Sequence, residues 1–300
     1  MVDAKSFNKL NHNLHQDVAN LWDECFGDLP ILTQRMLKAF GTISSPKAYA
    51  HQKIRSITPK EIKEAEEKIF QRDTCFRQED IQTKQAQAIT DKILKKMSSS
   101  NTQTSKFLKE FLKDKNVVVV VDRDIVDDAC FGGFNPESKN LYIELCAGCF
   151  HYHSKYPLIF NEASLAKTIG HEIGHAVEQI NRSSKSKPQS VGFSSNSWEV
   201  ESFCDAFGSV LALQAGYSIA PSIEKMKIFE EQDEKKHKPT DPHPTLKQRR
   251  ILAEFIDKAF PDAKREIPPF SREISHVKWD EKRTEDNSNI KPVIPPSKER

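Results

Sequence analysis

The stretch TIGHEIGHAVEQ, Thr168–Gln179, places two histidines within an otherwise apolar helical pattern. His171 and His175 are four residues apart, so on a helix they lie on one face with Cβ atoms about 5–6 Å apart. Two imidazoles at this spacing can bind one metal ion at about 2.0–2.1 Å. Glu172 is rotated off that face, but it can reach a water molecule on the ion and act as a general base. The pattern predicts a zinc hydrolase site.

The site needs a third ligand, because an HExxH match alone arises by chance in roughly one chain in a few tens of this length. The next helical segment, SWEVESFCDAFGS, supplies Glu201 and Asp205 at i,i+4 spacing among apolar neighbours. A carboxylate is a common third zinc ligand, and we expect Glu201 to be this ligand. Asp205 is then placed to accept the outward N–H of a ligand histidine. Glu199 is an alternative ligand, although it suits the helix cap better.

A third motif follows in TDPHPTLKQRR, residues 240–250, where His243 lies between two prolines at the start of a helix. Alone, this motif is typical of a surface turn. The metzincin pattern HExxHxxGxxH is excluded, because this chain has Glu178 and Asn181 where that pattern needs Gly and His.

Together the three motifs resemble the zinc endopeptidases (gluzincins) that include the CAAX prenyl proteases and the heat-shock protease HtpX. That family has HExxH, then ExxAD on a helix, then a His-Pro turn followed by Arg. The matching residues here are His171, Glu172, His175, Glu201, Asp205, His243 and Arg249, and the resemblance spans residues 117–251.

The resemblance implies that His171, His175 and Glu201 bind one zinc ion and that Glu172 is the base. It also implies that His243 and Arg249 lie near the active site, where His243 could stabilise an oxyanion or position substrate. Three features depart from the family. Cys204 replaces the usual Ala, no segment is apolar enough to span a bilayer, and residues 1–100 match nothing in the family.

The same family uses an edge strand before the HExxH helix to pair with extended substrate. We therefore expect the segment NLYIEL to form that edge, and a strand inside the sheet is the alternative. The predicted substrate-binding residues are Leu141, Tyr142, Ile143, Glu144 and Leu145.

The predicted fold is α+β and mostly helical: a zincin-like domain with a small sheet, preceded by a helical region. The expected boundaries are residues 1–113 for the helical region, 114–260 for the metalloprotease domain and 261–300 for a Pro- and charge-rich tail. The β-branched run at 117–121 predicts a buried strand, whereas Gly132-Gly133 and residues 135–138 predict turns.

Composition excludes several functions. The net charge of +2 gives no electrostatic case for binding nucleic acid or an anionic membrane. The six scattered cysteines do not resemble a disulfide framework. Cys146 and Cys149 with His151 and His153 could hold a second zinc ion, or simply be loop and core residues. The N-terminus lacks a signal peptide, which predicts a cytoplasmic protein or one delivered into a host cell by a specialised secretion system.

The sequence therefore predicts a zinc-dependent endopeptidase whose partner is a protein or peptide substrate. One alternative is a non-catalytic zinc-binding interaction protein that keeps the fold. Another is a scaffold that binds no metal at all.

Overall fold

The computed structural model describes residues 74–123, 129–135, 138–150, 161–183, 197–238, 241, 243–261, 263 and 265–268, together with Glu64, Lys68 and Arg72. The helices predicted before residue 60 and nearly all of the predicted tail lie outside this part of the chain. Within it, the chain forms six long α-helices and one three-stranded sheet, which confirms a mostly helical α+β fold.

The elements include one strand, Ala129–Phe134, in a stretch where turns were predicted. They are α1 (Ile81–Ser99), α2 (Gln103–Leu112), β1 (Asn116–Asp122), β2 (Ala129–Phe134), β3 (Asn140–Cys146), a short 3-10 helix (Ala147–Phe150), α3 (Glu162–Ser183), α4 (Ser197–Gln214), α5 (Ala220–Lys236) and α6 (Leu246–Ala259).

Local capping fixes where the helices begin and end. The Asn161 side chain accepts a hydrogen bond from the Ser164 amide at 3.0 Å, so it caps α3 as expected. Gly216 ends α4 at a φ of 84°, and the next amide, that of Tyr217, donates back to the Ala212 carbonyl at 2.9 Å. This is the Schellman arrangement, which favours glycine at the left-handed position. Thr245 starts α6 with a capping box.

The central strand of the sheet is β3, because it pairs in parallel with β1 and antiparallel with β2. The prediction that 141–145 forms an exposed edge is therefore wrong: both sides of β3 already carry a strand. Gly132-Gly133 was expected in a turn but lies within β2, where a register shift between Phe131 and Gly133 marks a β-bulge. Gly133 has a φ of 115°, which favours glycine at this irregularity.

The side of β1 away from β3 is closed by other parts of the chain. The Gln87 side chain donates to the Val117 carbonyl and accepts from the Val119 amide, both at 2.9 Å, so its amide mimics a neighbouring strand. Further along, the Phe76 amide donates to the Val121 carbonyl at 2.9 Å. These bonds leave β2 as the strand at which the described sheet could accept another segment.

One buried apolar cluster joins the helices to the sheet. It includes Ile93 of α1, Leu108 of α2, Ile143 of β3, Ile169 of α3 and Phe207 of α4. The boundary predicted near residue 113 does not divide this core, because α1 and α2 contribute to it. Their apolar faces are covered only when they pack on the sheet and on α3 and α4.

The domain also continues past the boundary predicted at residue 260. The Ser218 amide donates to the Glu266 carbonyl at 2.8 Å, and the Glu266 amide donates to the Gly216 carbonyl at 2.9 Å. The Pro268 carbonyl accepts from the amide of Glu162, the first residue of α3. Residues 266–268 therefore hold the starting end of α3 against the loop after α4.

Helices α3 and α4 cross in contact at two glycines. A Cβ atom built on Gly208 would lie 2.5 Å from the Lys167 carbonyl oxygen and 2.6 Å from the His171 amide nitrogen. A Cβ on Gly170 would lie 2.8 Å from the Gly208 Cα. Since real Cβ atoms do not approach backbone this closely, the crossing requires glycine at both positions. The crossing sets the distance between the histidines of α3 and the acids of α4.

Gly208→Ala should destabilise the protein by about 1–3 kcal/mol, as overpacked cores do. A loss of stability would be informative, because replacing glycine by alanine within a helix normally raises the free energy of unfolding by about 1 kcal/mol. Urea unfolding measures the change. Gly174→Ala is the matched control, because its Cβ would meet the Cys204 Cα at a milder 3.1 Å. A Gly208→Ala protein as stable as wild type would contradict the close crossing.

Candidate metal centre

His171 and His175 aim their outer ring nitrogens at one point. Both lie on α3, one turn apart, and their Nε2 atoms are 3.1 Å apart. The rings are nearly perpendicular, with centroids 4.8 Å apart. Two imidazoles with converging Nε2 atoms are the arrangement that the i,i+4 spacing predicts for ligands of one ion.

Glu201 completes a triangle with the two histidines. Its Oε2 lies 3.3 Å from His171 Nε2, and its Oε1 lies 3.5 Å from His175 Nε2. Ligand atoms placed tetrahedrally at about 2.0–2.1 Å from zinc are separated from one another by about 3.3 Å. The separation between the two histidine nitrogens, and that between each histidine and one Glu201 oxygen, are close to this value, so the carboxylate faces the same point as the two imidazoles. The side chain of Glu199, the alternative ligand, lies outside the described part of the structure.

The Glu201 carboxylate is buried without the hydrogen bonds that such burial normally requires. Only 8% of the residue is exposed, and Oε2 has no hydrogen-bond partner despite the imidazoles around it. Burial alone would raise the pKa of Glu201, but the imidazoles of His171 and His175 hold it well below its ordinary value. A buried, ionised oxygen with no donor fits a metal ligand, because a cation would satisfy it.

Electrostatics favour positive charge at the same point. Burial would lower the pKa of His171, but its contacts with Asp205 and Glu201 outweigh burial and raise that pKa to about 9. The nearby carboxylates thus stabilise a cation between the residues that would bind zinc. Without metal, the imidazole retains a proton there, so zinc and protons compete for the site.

Asp205 lies behind His171, as the sequence predicts. Its Oδ1 is 3.1 Å from His171 Nδ1, which leaves Nε2 free to face Glu201. Arg249 of α6 clamps the same carboxylate, with Nε 2.6 Å from Oδ2 and Nη2 2.9 Å from Oδ1. Burial would raise the pKa of Asp205, but the charges of Arg249 and Lys167 hold it well below its usual range. An ionised Asp205 therefore fixes the ring of His171.

Lys167 is a member of the site that the sequence analysis missed. Its Nζ lies 3.1 Å from Asp205 Oδ1, and its side chain is only 10% exposed. The available signal was its spacing: Lys167 precedes His171 by four residues, so it lies on the ligand face of α3. A lysine at that position is usually solvated, and only the crossing of α4 buries it.

Glu172 and His243 both lie close to the ligand residues. One ligand atom from each of His171, Glu172 and His175 lies within 4.8 Å of the others, so the buried Glu172 carboxylate is within reach of the same point. The His243 Nε2 lies 3.4 Å from Glu201 Oε2, and its side chain is 53% exposed. Burial lowers the pKa of His243, which favours a neutral ring that can donate one hydrogen bond.

Cys204 packs between the two helices. It is fully buried, and a Cβ on Gly174 would lie 3.2 Å from its Sγ. Burial raises the pKa of the Cys204 thiol well above its usual value, so the sulfur stays protonated. Its place in the structure is at the helix crossing, where it fills the space opposite Gly174.

The second predicted metal site is only partly described. Cys146 ends β3 and Cys149 is buried in the following 3-10 helix, while His151 and His153 lie outside the described part of the chain. A different group, Cys75, Asp122 and Glu144, brings ligand atoms within 4.8 Å of one another on the sheet. Arg72 already pairs with Glu144 at 2.7 Å, so the arginine supplies positive charge beside the two carboxylates.

Leu141, Ile143 and Leu145 are fully buried in the core, and Tyr142 and Glu144 belong to the opposite face of the central strand. None of the helices in the described part of the chain combines the length and hydropathy of a membrane span. No protein-family model matches the chain, and a search of the curated proteins found no significant match.

Proposed function

We propose that this protein is a zinc-dependent endopeptidase. The observation that carries the proposal is the ligand triangle of His171, His175 and Glu201. The two Nε2 atoms are 3.1 Å apart, and they lie 3.3 Å (His171) and 3.5 Å (His175) from one or the other oxygen of the Glu201 carboxylate. Separations of this size suit ligands of one zinc ion. Two imidazoles and a carboxylate are the ligand set of several zinc peptidases, and three protein ligands leave one position for water or substrate.

The zinc ion would supply Lewis acidity to a peptide carbonyl and to the attacking water. Glu172 would take the proton of that water and later pass it to the leaving amine. Its carboxylate lies within 4.8 Å of a ligand atom of each histidine, which is close enough to reach a water molecule on the ion. Asp205 would keep the His171 ring oriented, and Arg249 would hold Asp205.

Extended substrate would bind at β2 instead of β3. The β2 strand packs beside α3 and is an end strand of the described sheet. A peptide that added a strand there would run past the helix that carries the histidines. This assignment replaces residues 141–145 as the substrate edge, because β3 has no free side.

His243 would assist the reaction by donating from Nε2 to the oxyanion that forms on the substrate. His243→Ala should then lower kcat/KM by roughly 10²-fold or more, which is typical for loss of one oxyanion donor, with zinc retained. Peptide hydrolysis and metal analysis on the same preparations measure both quantities. Faster hydrolysis by the variant would contradict this role and indicate that His243 obstructs the site.

The proposal is tested by incubating the protein with a proteome-derived peptide mixture and identifying new N-termini. Wild-type protein should produce a recurring cleavage pattern that disappears after chelation and returns with zinc. The absence of new termini from zinc-loaded wild-type protein would favour the alternative, a non-catalytic zinc-binding interaction protein. Failure to bind zinc at all would leave a scaffold.

A further inference from the structure

One oxygen of Asp205 carries more donors than it can hold well. Oδ1 is approached by Lys167 Nζ at 3.1 Å, His171 Nδ1 at 3.1 Å and Arg249 Nη2 at 2.9 Å. A carboxylate oxygen offers about two lone-pair sites. The shortest bond to Asp205 is that of Arg249 Nε to the other oxygen, at 2.6 Å. Lys167 and His171 therefore compete for the remaining capacity of Oδ1.

Lys167 is not needed to balance the charge of Asp205. Arg249 already pairs with both carboxylate oxygens, in the two-bond geometry that gives the strongest ion pairs. A second cation at a buried carboxylate is unfavourable, since its ammonium group must be removed from water. Burial accordingly lowers the pKa of Lys167, although the attraction of Asp205 opposes that shift. An expensive and redundant charge calls for a role other than neutralisation.

We propose that Lys167 is a positioning residue that weakens the hydrogen bond through which Asp205 polarises the His171 ring. A carboxylate bonded to the outer N–H of a zinc-bound histidine makes the ring a stronger electron donor. Two cations on Asp205 draw its charge away from the ring, so His171 donates less to the metal. The zinc ion then stays a better Lewis acid. This inference rests on the proposed zinc site.

This role predicts that loss of Lys167 strengthens zinc binding, whereas a purely structural role predicts that it weakens zinc binding. Lys167→Met removes the charge and keeps most of the side-chain volume. Asp205 should then pull harder on His171, the zinc dissociation constant should fall by about tenfold, and peptide turnover should fall with it. If Lys167 only held Asp205 in place, its loss would disorder His171 and weaken zinc binding.

The experiment is a chelator competition that gives the zinc dissociation constant of the full chain for wild type, Lys167→Met and Lys167→Arg. Lys167→Arg keeps the charge and should stay near the wild-type value. As a second measurement, the NMR signal of the His171 Nδ1 proton should move downfield in Lys167→Met, because its hydrogen bond to Asp205 strengthens.

Unchanged or weaker zinc binding by Lys167→Met would overturn the proposal, as would equal tightening in both variants. A His171 proton signal that does not move would also overturn it. Wild-type protein that binds no zinc would instead remove the proposed function, on which the inference rests. The wild-type measurement thus separates the two failures.

Discussion

Glu172→Gln should reduce peptide hydrolysis by roughly 10²–10⁴-fold while the protein keeps its zinc ion. General-base catalysis contributes about that much, and glutamine has nearly the same shape as glutamate but cannot accept the proton. Zinc binding should persist because the ligand triangle is formed by His171, His175 and Glu201, without Glu172. The rates are measured on peptides that wild-type protein cleaves, with zinc content determined for each sample.

Glu224→Gln is the matched control for this variant, because Glu224 is an exposed glutamate on α5 that pairs with Lys227 and has no role in the proposed site. It should cleave at the wild-type rate. If Glu172→Gln cleaved as fast as the control, Glu172 would not be the base. If it lost its zinc, Glu172 would belong to the ligand set.

Asp205→Asn should destabilise the protein by about 3–5 kcal/mol, which is typical when one partner of a buried ion pair is removed. Asp205 is 2% exposed, and its carboxylate is bonded to Lys167, His171 and Arg249. Asparagine leaves the Lys167 and Arg249 cations without a counter-charge in the interior. Zinc binding should weaken as well, because the His171 ring loses the acceptor that orients it.

The pH dependence of stability is a second test of whether Asp205 is ionised and paired in the folded protein. Its folded-state pKa is depressed, so its contribution is fully present above the unfolded value of about 3.9 and is lost as pH falls towards the folded pKa. The unfolding free energy of wild type should therefore fall more steeply below about pH 4 than that of Asp205→Asn. Parallel curves, or a variant as stable as wild type at pH 7, would contradict the buried pairs.

The sequence predicts which side chains share a helix face because helical spacing is a strong geometric constraint. His171 and His175 at i,i+4 can only share a face, and the same argument places Glu201 and Asp205 together on the next helix. What spacing cannot supply is the distance between those helices. That distance depends on Gly170 and Gly208, whose importance appears only when their missing Cβ atoms are tested against the opposite backbone.

The sheet was harder to predict because strand order depends on long-range pairing. NLYIEL alternates as a half-buried strand does, and nothing local distinguishes an edge from a central position. Gly132-Gly133 fits a turn as well as it fits a bulge, and the bulge is selected by pairing with β3. Lys167 was missed for the same reason: its burial is caused by α4, which lies about forty residues further along the chain.

Segments that pack on a distant surface are hard to assign to a domain from the sequence. The apolar faces of α1 and α2 predict helices, but not the cluster with β3 and α3 that they complete. Residues 266–268 follow a Pro- and charge-rich pattern that favours a tail, yet their backbone groups bond to Gly216, Ser218 and Glu162. Backbone hydrogen bonds of this kind cannot be predicted from the pattern of side chains in the sequence.

Equilibrium zinc titration of three proteins tests the ligand triangle most directly: wild type, Glu201→Gln and Glu199→Gln. The two glutamates lie two residues apart on α4, so each variant controls for the other. We predict one tightly bound zinc ion per chain in wild type and Glu199→Gln, and near-complete loss of tight binding in Glu201→Gln. Tight binding that survives Glu201→Gln, or that is lost with Glu199→Gln, would contradict the site described by His171, His175 and Glu201.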